Sequence, residues 1–334
     1  MDRIESGDTS NPLANSLLWA AVPVPCTASG EIATDAQNAY ARWFFSQKAD
    51  GVVVWAHTGR GLHWNENQRG SIIETWHKNR TPGKFVIAAA GAPPSAKSFI
   101  DALAAARAMA QQAESLGADA IMIHPPCFLR GDDQIWQKCF AFHQAVLESV
   151  RIPGVLFYLY EKAGGLSYPM DLLDDLLTLP QVMGIKVATL DSVMTFQDIA
   201  GLMKLHTDKK LITGEDRFLG YSLMAGAQSA LIGMASAFVS PQADLIKSWQ
   251  SQNLPQFMKL SQIVDAFSFT TFRQPMEGYI ARMLACLVHE GVIESTSAHD
   301  PFGPSLEAGE FQKIGTILKV LQRRYAAIMH GGLD

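Results

Sequence analysis

Eight short apolar runs alternate with segments of helical character along the first 250 residues of the chain. The runs are continuously apolar, as expected for strands of a parallel sheet that helices cover on both faces. They cover residues 17–22, 52–56, 85–90, 120–124, 155–160, 182–188, 211–213 and 230–234. Eight strand–helix units in about 250 residues match the count and length of a closed barrel. The sequence therefore predicts an α/β fold, a (β/α)8 TIM barrel, over residues 1–250.

The segments between the runs carry helix signals. Residues 95–117 are rich in alanine, with Ser95 as a possible N-cap and Gly117 as a stop. Residues 133–150 form a second clear helical segment. A doubly wound open sheet is the alternative, and it would more often show a glycine-rich phosphate loop after its first strand. The segment "PVPCTASGE" after the first run is not such a loop, which favours the barrel.

The last part of the chain changes character, because only helical patterns follow residue 250. These patterns cover residues 254–268, 276–291 and 305–329. We expect residues 251–334 to form a helical segment that packs on the barrel, since the apolar faces of such helices need a partner surface.

Charge and hydropathy limit the class of partner. The net charge is −5 and no run of Lys or Arg occurs, so nucleic acid and anionic membrane surfaces are not expected partners. The polar, acidic start "MDRIESGDTSNPLANS" predicts no secretory signal. No apolar run approaches the roughly 20 residues of a membrane helix. A cytoplasmic protein that acts on a small molecule is the expectation that follows.

Cysteine and histidine spacing predicts neither a metal site nor a redox centre. The four cysteines include no CxxC pair. His57, His63 and His77 match no known ligand spacing, and no HExxH motif is present. The glycine-rich motifs that cradle nucleotide phosphates are absent as well. The sequence therefore predicts no bound metal.

Candidate site residues follow from one rule, since the chemistry of a (β/α)8 barrel collects at the carboxyl ends of its strands. The segment "VVVWAHTGRG" places His57 and Thr58 at the end of the second run. Gly59 and Gly61 let the backbone turn sharply and expose N–H groups that suit a carboxylate. An ordinary glycine turn is the alternative. Cys127, after the fourth run, either lines the mouth of the barrel or packs within a rigid loop.

Lys186 lies inside the sixth apolar run, in "GIKVATLD", two residues before the run ends. A lysine is rarely buried without a partner, and a salt-bridged structural lysine is the alternative. Burial lowers the pKa of a lysine, so some free amine is expected near neutral pH as a nucleophile for carbonyl substrates. Tyr158 in the fifth run is either a proton relay beside this amine or a core tyrosine with a satisfied hydroxyl.

With these residues in place, the chain resembles the dihydrodipicolinate synthase and N-acetylneuraminate lyase family of class I aldolases over roughly residues 17–300. "GIKVATLD" is similar to the family's lysine motif, and Tyr158, about 28 residues earlier, stands where the family has its tyrosine. "TGED" and "AGAQSALIGMASAF" resemble the family's segments after strand seven and along strand eight. "ADGVVVWAHTGRG" resembles its carboxylate-binding loop.

The resemblance implies a set of roles. Lys186 would form an imine with the keto carbon of a 2-oxo acid, and Tyr158 would pass protons during this step. The loop at Thr58 and Gly59 would hold the substrate carboxylate, and the carbonyl of Leu231 would border the site. The resemblance also implies a homotetramer or homodimer that needs no metal and no organic cofactor.

Departures from the family pattern narrow the expected activity. His57 replaces the first hydroxyl of the carboxylate loop, and Arg60 replaces the glutamate that follows. Cys127 stands where the synthase branch has a tyrosine. Lys162 or Ala163 stands where that branch has an arginine for a second carboxylate. Dihydrodipicolinate synthase activity itself is therefore not expected.

Two classes of function remain open. The first is a Schiff-base lyase that makes or breaks an aldol bond or dehydrates a 2-keto-3-deoxy sugar acid. In this class, His57 could act as the acid or base for a leaving hydroxyl, since histidine titrates near neutral pH. The second class is a catalytically altered barrel that senses a small oxo acid. The unusual loop around His57 and Arg60 favours a sensor, whereas the retention of Lys186 and Tyr158 counts against it.

Overall fold

Eight parallel strands form a closed barrel in the computed structural model, which describes residues 15–330. Each strand pairs with the next in the chain, and the last pairs with the first. The strands are β1 Leu18–Ala21, β2 Gly51–Val54, β3 Phe85–Ala90, β4 Ala120–Ile123, β5 Gly154–Leu159, β6 Val182–Ala188, β7 Lys210–Thr213 and β8 Ser229–Ile232. The predicted (β/α)8 barrel is confirmed. All eight apolar runs are strands, because their side chains are buried both inside the barrel and under the helices.

Helices cover the outside of the barrel. They are α1 Thr34–Phe45, α2 Glu66–Asn79, α3 Phe99–Ser115, α4 Ile135–Leu147, α5 Met170–Leu177, α6 Val193–Leu202, α7 Leu219–Met224 and α8 Val239–Gln250. The expected N-cap at Ser95 is wrong, because the side chain of Ser98 accepts the bond from the N–H of Asp101 at 3.1 Å. The predicted stop at Gly117 is confirmed, since this glycine adopts φ +86° just after the helix.

Three further helices follow the barrel: α9 Leu254–Thr271, α10 Tyr279–His289 and α11 Glu310–His330. Helix α9 lies against α8 and α11, so the segment after residue 250 packs on the barrel's outer layer. The side chain of Arg282 is buried and donates to Glu310 at 2.6 Å, which joins α10 to α11. Helix α11 begins five residues later than predicted, because Gly309 takes φ +77° before it.

The strand register decides which side chains point into the barrel. Residues that pair across neighbouring parallel strands project from the same face. Phe157 pairs with Lys186, which in turn pairs with Ile212, so these three side chains share the inward face. Their neighbours Tyr158 and Val187 pair with each other and share the opposite face. The register therefore places Lys186 inside the barrel, one layer below its carboxyl-terminal mouth.

The polar segment at the start of the chain, residues 1–14, lies outside the described residues, as do residues 331–334. Within residues 15–330, no helix combines the length and the apolar character that crossing a membrane requires.

Candidate active site

Lys186 occupies a tight, buried position. Its side chain is buried, and the ammonium nitrogen lies 4.3 Å from the centre of the Phe157 ring. Gly214, after β7, makes room for it, since a Cβ at this position would lie 2.7 Å from Lys186 Cε. Burial lowers the pKa of Lys186 below its usual value, while the nearby carboxylates of Asp216 and Glu215 oppose this effect. Lys186 therefore holds more free amine near neutral pH than an exposed lysine would.

Two buried carboxyl groups follow β7. Asp216 accepts a hydrogen bond from the N–H of Met234 at 2.7 Å and shares a cavity with Lys186. Burial raises the pKa of Asp216, and the positive charge of Lys186 counteracts this rise only in part. The sequence patterns do not predict these groups as site residues, although "TGED" resembles a segment of the family. An acidic pair directly after a strand was the available signal.

Glu215 organises the neighbouring loop. It accepts hydrogen bonds from the N–H of Thr189 at 2.6 Å and the N–H of Leu190 at 2.8 Å. Burial raises its pKa to about 7, against the lowering effect of these bonds. Glu215 thus connects the loop after β6 to the loop after β7 and fixes the rim of the barrel beside Lys186.

The loop after β2 is compact and strained. Trp55 and Arg60 both adopt left-handed backbone angles, at φ 59° and 53°. A Cβ at Gly61 would lie 1.9 Å from the carbonyl oxygen of Trp55, so only glycine fits there. The backbone N–H groups of Thr58 and Gly59 donate to no acceptor within residues 15–330. They remain free to donate to an anion, as a carboxylate-binding loop requires.

A hydrogen-bond network ties this loop to the start of α10. The hydroxyl of Tyr279 lies 2.9 Å from Thr58 Oγ1 and 3.0 Å from His57 Nδ1. On its other side, His57 Nε2 lies 3.3 Å from a carboxylate oxygen of Glu277. Burial alone would raise the pKa of Glu277, but the hydrogen bonds and charges of His57 and Arg60 lower it to about 2. Glu277 is therefore ionised at neutral pH.

Arg60 turns away from any role with an incoming anion. Its guanidinium lies 2.7 Å from Asp300 and 2.8 Å from Glu277, and the side chains of both Arg60 and Asp300 are buried. Two carboxylates thus neutralise the one cation of the loop. The arginine that replaces the family glutamate serves to anchor the loop to the C-terminal segment.

Two adjoining cavities open at the mouth of the barrel. The inner cavity contains Lys186 and Asp216, and the outer one, of about 180 Å³, contains Cys127 and His63. Three residues line both cavities: His57, Leu159 and Ala163. A ligand bound at Lys186 can therefore extend from the inner cavity into the outer one.

His124 forms part of the floor of the outer cavity. It directly follows β4, is fully buried, and its Nε2 lies 3.0 Å from the carbonyl oxygen of Trp55. Burial lowers its pKa to about 4, so the imidazole is neutral at pH 7. No pattern in the sequence distinguishes this histidine from an ordinary buried one.

Tyr158 does not face Lys186, and that expectation is wrong. It lies on the outer face of β5, where its ring packs edge-on against Tyr168 at 6.0 Å and its hydroxyl bonds to Ser167. It lines neither cavity at the barrel mouth. Successive residues of a strand point to opposite faces, and the inward position belongs to Phe157. The inward face of β5 therefore presents a ring without a hydroxyl beside Lys186.

Of the remaining predicted residues, Gly59 and Leu231 line neither cavity at the barrel mouth, and the others line one or both. Thr58 lines the inner cavity and Cys127 the outer one. Leu231 lies within β8, where it pairs with Trp19, and Gly233 is the residue that borders the cavity instead. Within residues 15–330, no three His, Cys, Asp or Glu side chains converge to form a metal site.

Sequence comparisons agree with this geometry. Residues 15–320 match the sequence model of the Dihydrodipicolinate synthetase family. A 4-hydroxy-tetrahydrodipicolinate synthase from Bifidobacterium animalis is 24% identical over 302 residues, covering 88% of this chain and 91% of the relative. An N-acetylneuraminate lyase from Escherichia coli is 21% identical over 294 residues, covering 86% and 88%. The chain is therefore similar along most of its length to relatives with different activities.

A solved structure extends the likeness to the fold. A prophage protein of the dihydrodipicolinic acid synthase family from Escherichia coli, solved in complex with pyruvate, superposes with a TM-score of 0.80. The two chains are 18% identical, and the match covers 92% of this chain and 99% of the other. At this identity the likeness concerns the fold alone.

Proposed function

Since the chain belongs to the dihydrodipicolinate synthetase family, we propose that it is a Schiff-base-forming lyase that acts on a 2-oxo acid. The two relatives described above are named as a synthase and a lyase. One observation carries the proposal: Lys186 is buried on the inward face of the barrel with a lowered pKa, beside a cavity and a loop with free N–H groups.

Lys186 would supply the nucleophile. Its free amine attacks the keto carbon of the 2-oxo acid, a C–N bond forms, and the keto oxygen leaves as water after it takes up protons. The resulting protonated imine draws electrons from the neighbouring carbon, so an enamine forms and the next C–C or C–O bond breaks or forms more easily. Both aldol cleavage and dehydration share this intermediate.

Thr58 and Gly59 would hold the carboxylate next to the keto group. Their backbone N–H groups are free, and two such donors at one turn form a concave site for an anion. This arrangement would place the keto carbon toward Lys186 and the rest of the substrate toward the outer cavity. No other charged group is needed to hold this end of the substrate.

The outer cavity suits an uncharged tail. Arg60 is neutralised by Asp300 and Glu277, and His124 is neutral at pH 7. Lys162 points outward, with its side chain 81% exposed, and pairs with Asp191. A second carboxylate would therefore find no free cation among the described residues that line this cavity. This argues further against dihydrodipicolinate synthase activity.

Borohydride trapping tests the proposal. Incubation with pyruvate and borohydride should add one reduced pyruvyl group to the protein, and peptide mapping should place the group on Lys186. Lys186→Met should abolish the adduct. Lys84→Met is the matched control, since Lys84 is another partly buried lysine with a lowered pKa, but its ammonium bonds to the carbonyl of Ala49. An unmodified wild-type protein with pyruvate and a panel of other 2-oxo acids would refute the proposal.

The sensor remains the second candidate, and Phe157 favours it. A ring without a hydroxyl stands beside Lys186 on the inward face of β5. A sensor would form the adduct with pyruvate but release no product from any 2-keto-3-deoxy acid or aldehyde offered. Detection of either free pyruvate or a dehydrated keto acid would decide for the lyase. The oligomer and the cytoplasmic location remain predictions from the sequence.

A further inference from the structure

We propose that Tyr279, the first residue of α10, supplies the proton transfer at the imine, with His57 and Glu277 connected behind it. The inference rests on the proposed imine chemistry at Lys186. It assigns the proton transfer to the C-terminal segment, because the inward face of the fifth strand carries no hydroxyl.

The chemistry proposed for the inner cavity requires a group that donates a proton. Formation of an imine moves protons to the departing keto oxygen and away from the nitrogen. Phe157 carries no proton to give, and Tyr158 faces out of the barrel. Asp216 accepts hydrogen bonds from the backbone N–H groups of Met234 and Gly233, which cannot resupply a proton to it. Among the described residues that line this cavity, Tyr279 is the hydroxyl with a titratable side chain directly behind it.

The geometry forms a continuous path. The Tyr279 hydroxyl lies 2.9 Å from the hydroxyl of Thr58, which belongs to the loop proposed to hold the substrate carboxylate. The same hydroxyl lies 3.0 Å from His57 Nδ1, and His57 Nε2 lies 3.3 Å from Glu277. Each of these distances lies within reach of a hydrogen bond or an ion pair, and together they lead from the cavity to a half-exposed carboxylate.

The ring of Tyr279 is held in place. It stacks on Phe272 with ring centres 4.6 Å apart, and the ring of His57 lies nearly parallel to it at 6.1 Å. Burial raises the pKa of Tyr279 well above its usual value, so the hydroxyl keeps its proton at neutral pH and can donate it. A fixed, protonated donor is what the loss of water requires.

The proton balance closes with one proton taken from solvent. Tyr279 gives its proton to the hydroxyl of the carbinolamine as the C–O bond breaks and water leaves. His57 returns a proton to the tyrosine through Nδ1, and the charge of Glu277 stabilises the imidazolium that holds it. The proton lost by the nitrogen of Lys186 during addition becomes the first proton of the carbinolamine hydroxyl, and solvent at the open cavity replaces the one that His57 has given.

The test compares two Tyr→Phe variants of the full-length protein. The rate of adduct formation with pyruvate and cyanoborohydride should fall about 10²–10⁴-fold in Tyr279→Phe, the usual contribution of a general acid. The pyruvate concentration that gives half-maximal rate should change little, because the Thr58 and Gly59 N–H groups remain. Tyr158→Phe, the matched control on the outer face of β5, should keep the wild-type rate.

His57→Asn provides the second measurement, since it can keep a hydrogen bond to Tyr279 but cannot shuttle a proton. This variant should also lower the rate of adduct formation without weakening the binding of pyruvate. A general loss of structure would impair both. Equal rates for Tyr279→Phe, His57→Asn and Tyr158→Phe, with adduct on Lys186, would overturn the relay and leave the proposed lyase standing. Absence of any wild-type adduct would overturn both.

Discussion

The ammonium nitrogen of Lys186 lies 4.3 Å from the centre of the Phe157 ring, on the same inward face of two adjacent strands. An aromatic face attracts a cation by about 0.5–2 kcal/mol, more when water is excluded. The Phe157 ring accepts no proton, however. The pairing therefore separates two roles that a tyrosine would combine: Phe157 shapes the surroundings of the amine, and proton transfer has to come from another element.

Gly214 should prove essential to the position of Lys186. In Gly214→Ala, the new Cβ would meet Lys186 Cε at 2.7 Å and Ala188 Cβ at 2.9 Å. We expect the lysine side chain to move, the pyruvate adduct to be lost, and the free energy of unfolding to fall by about 1–3 kcal/mol, as for other overpacked cores. Mass spectrometry and urea unfolding measure the two effects.

Gly201→Ala is the control for that change. Gly201 lies in α6, and a Cβ there would meet nothing within 4 Å. This variant should keep the adduct and gain up to about 1 kcal/mol in stability, because alanine favours a helix. A Gly214→Ala protein as stable and as reactive as Gly201→Ala would contradict the tight packing around Lys186.

Acid should remove the contribution that buried neutral histidines make to stability. Burial lowers the pKa of His124 and of His143 to about 4, against an unfolded value near 6.5. Below pH 6.5 the unfolded chain therefore binds protons that the folded chain does not bind. The stability that these histidines contribute above pH 6.5 is lost as the pH falls toward 4. Replacing His124 with Gln should reduce the slope of stability against pH in this window by about one proton, or about 1.4 kcal/mol per pH unit.

Urea unfolding of both proteins across that window gives the measurement. Buried carboxyls such as Glu215 contribute pH terms of the opposite sign, since burial raises the pKa of Glu215. They are common to both proteins and cancel in the difference. Identical slopes for wild type and His124→Gln would show that His124 takes up its proton as readily in the folded protein as in the unfolded chain.

Asp300→Asn should strongly lower the free energy of unfolding. The change leaves the guanidinium of Arg60 buried with only Glu277 as its partner, and breaking a buried pair typically costs about 3–5 kcal/mol. Asp191→Asn is the matched control, because its partner Lys162 has a largely exposed side chain and such pairs contribute at most about 1 kcal/mol. Chemical unfolding of the two variants should give clearly different losses, and similar small losses would refute the anchoring role of Arg60.

The choice of aldehyde should respond to charge in the outer cavity. Ala163 lines both cavities, so Ala163→Arg would add a cation where the two cavities meet. We expect wild type to prefer butanal over succinic semialdehyde in condensation with pyruvate. The variant should shift the ratio of kcat/KM toward the anionic aldehyde by about tenfold, which corresponds to about 1.4 kcal/mol. A ratio that does not move would refute a neutral tail site.

The barrel could be predicted because its strands are local features of the sequence. A short run buried on both faces has one dominant appearance, and eight such runs allow few topologies. Lys186 could be found for the same reason, since a charge within such a run is conspicuous. The boundaries of the runs differ from the strands by at most two residues.

The face of Tyr158 could not be predicted from spacing. A shift of one residue along a strand moves a side chain from the inside of the barrel to the outside. The separation of about 28 residues from Lys186 agrees with the family, yet the register turns Phe157 inward. Only strand pairing, which no local pattern records, decides between the two.

Tyr279 and Glu277 were missed for a different reason. They lie in the segment after the barrel, where apolar periodicity predicts helix packing and says nothing about which loop the helix start will touch. Tyr279 and His57 are 222 positions apart in the chain. A contact between residues this far apart in the chain depends on the completed fold, and a single sequence does not reveal it.

The anchor between Arg60 and Asp300 also sets an order of events during synthesis. The two residues are 240 positions apart, and ribosomes add about 5–20 residues per second, so the loop after β2 emerges on the order of 10–50 s before its partner. Until Glu277 and Asp300 have been synthesised, the guanidinium of Arg60 has neither of its carboxylate partners. The substrate-binding loop is thus among the last parts of the nascent chain to reach its final conformation. A protein truncated before residue 300 would contain the reactive lysine but no completed loop to bind the substrate.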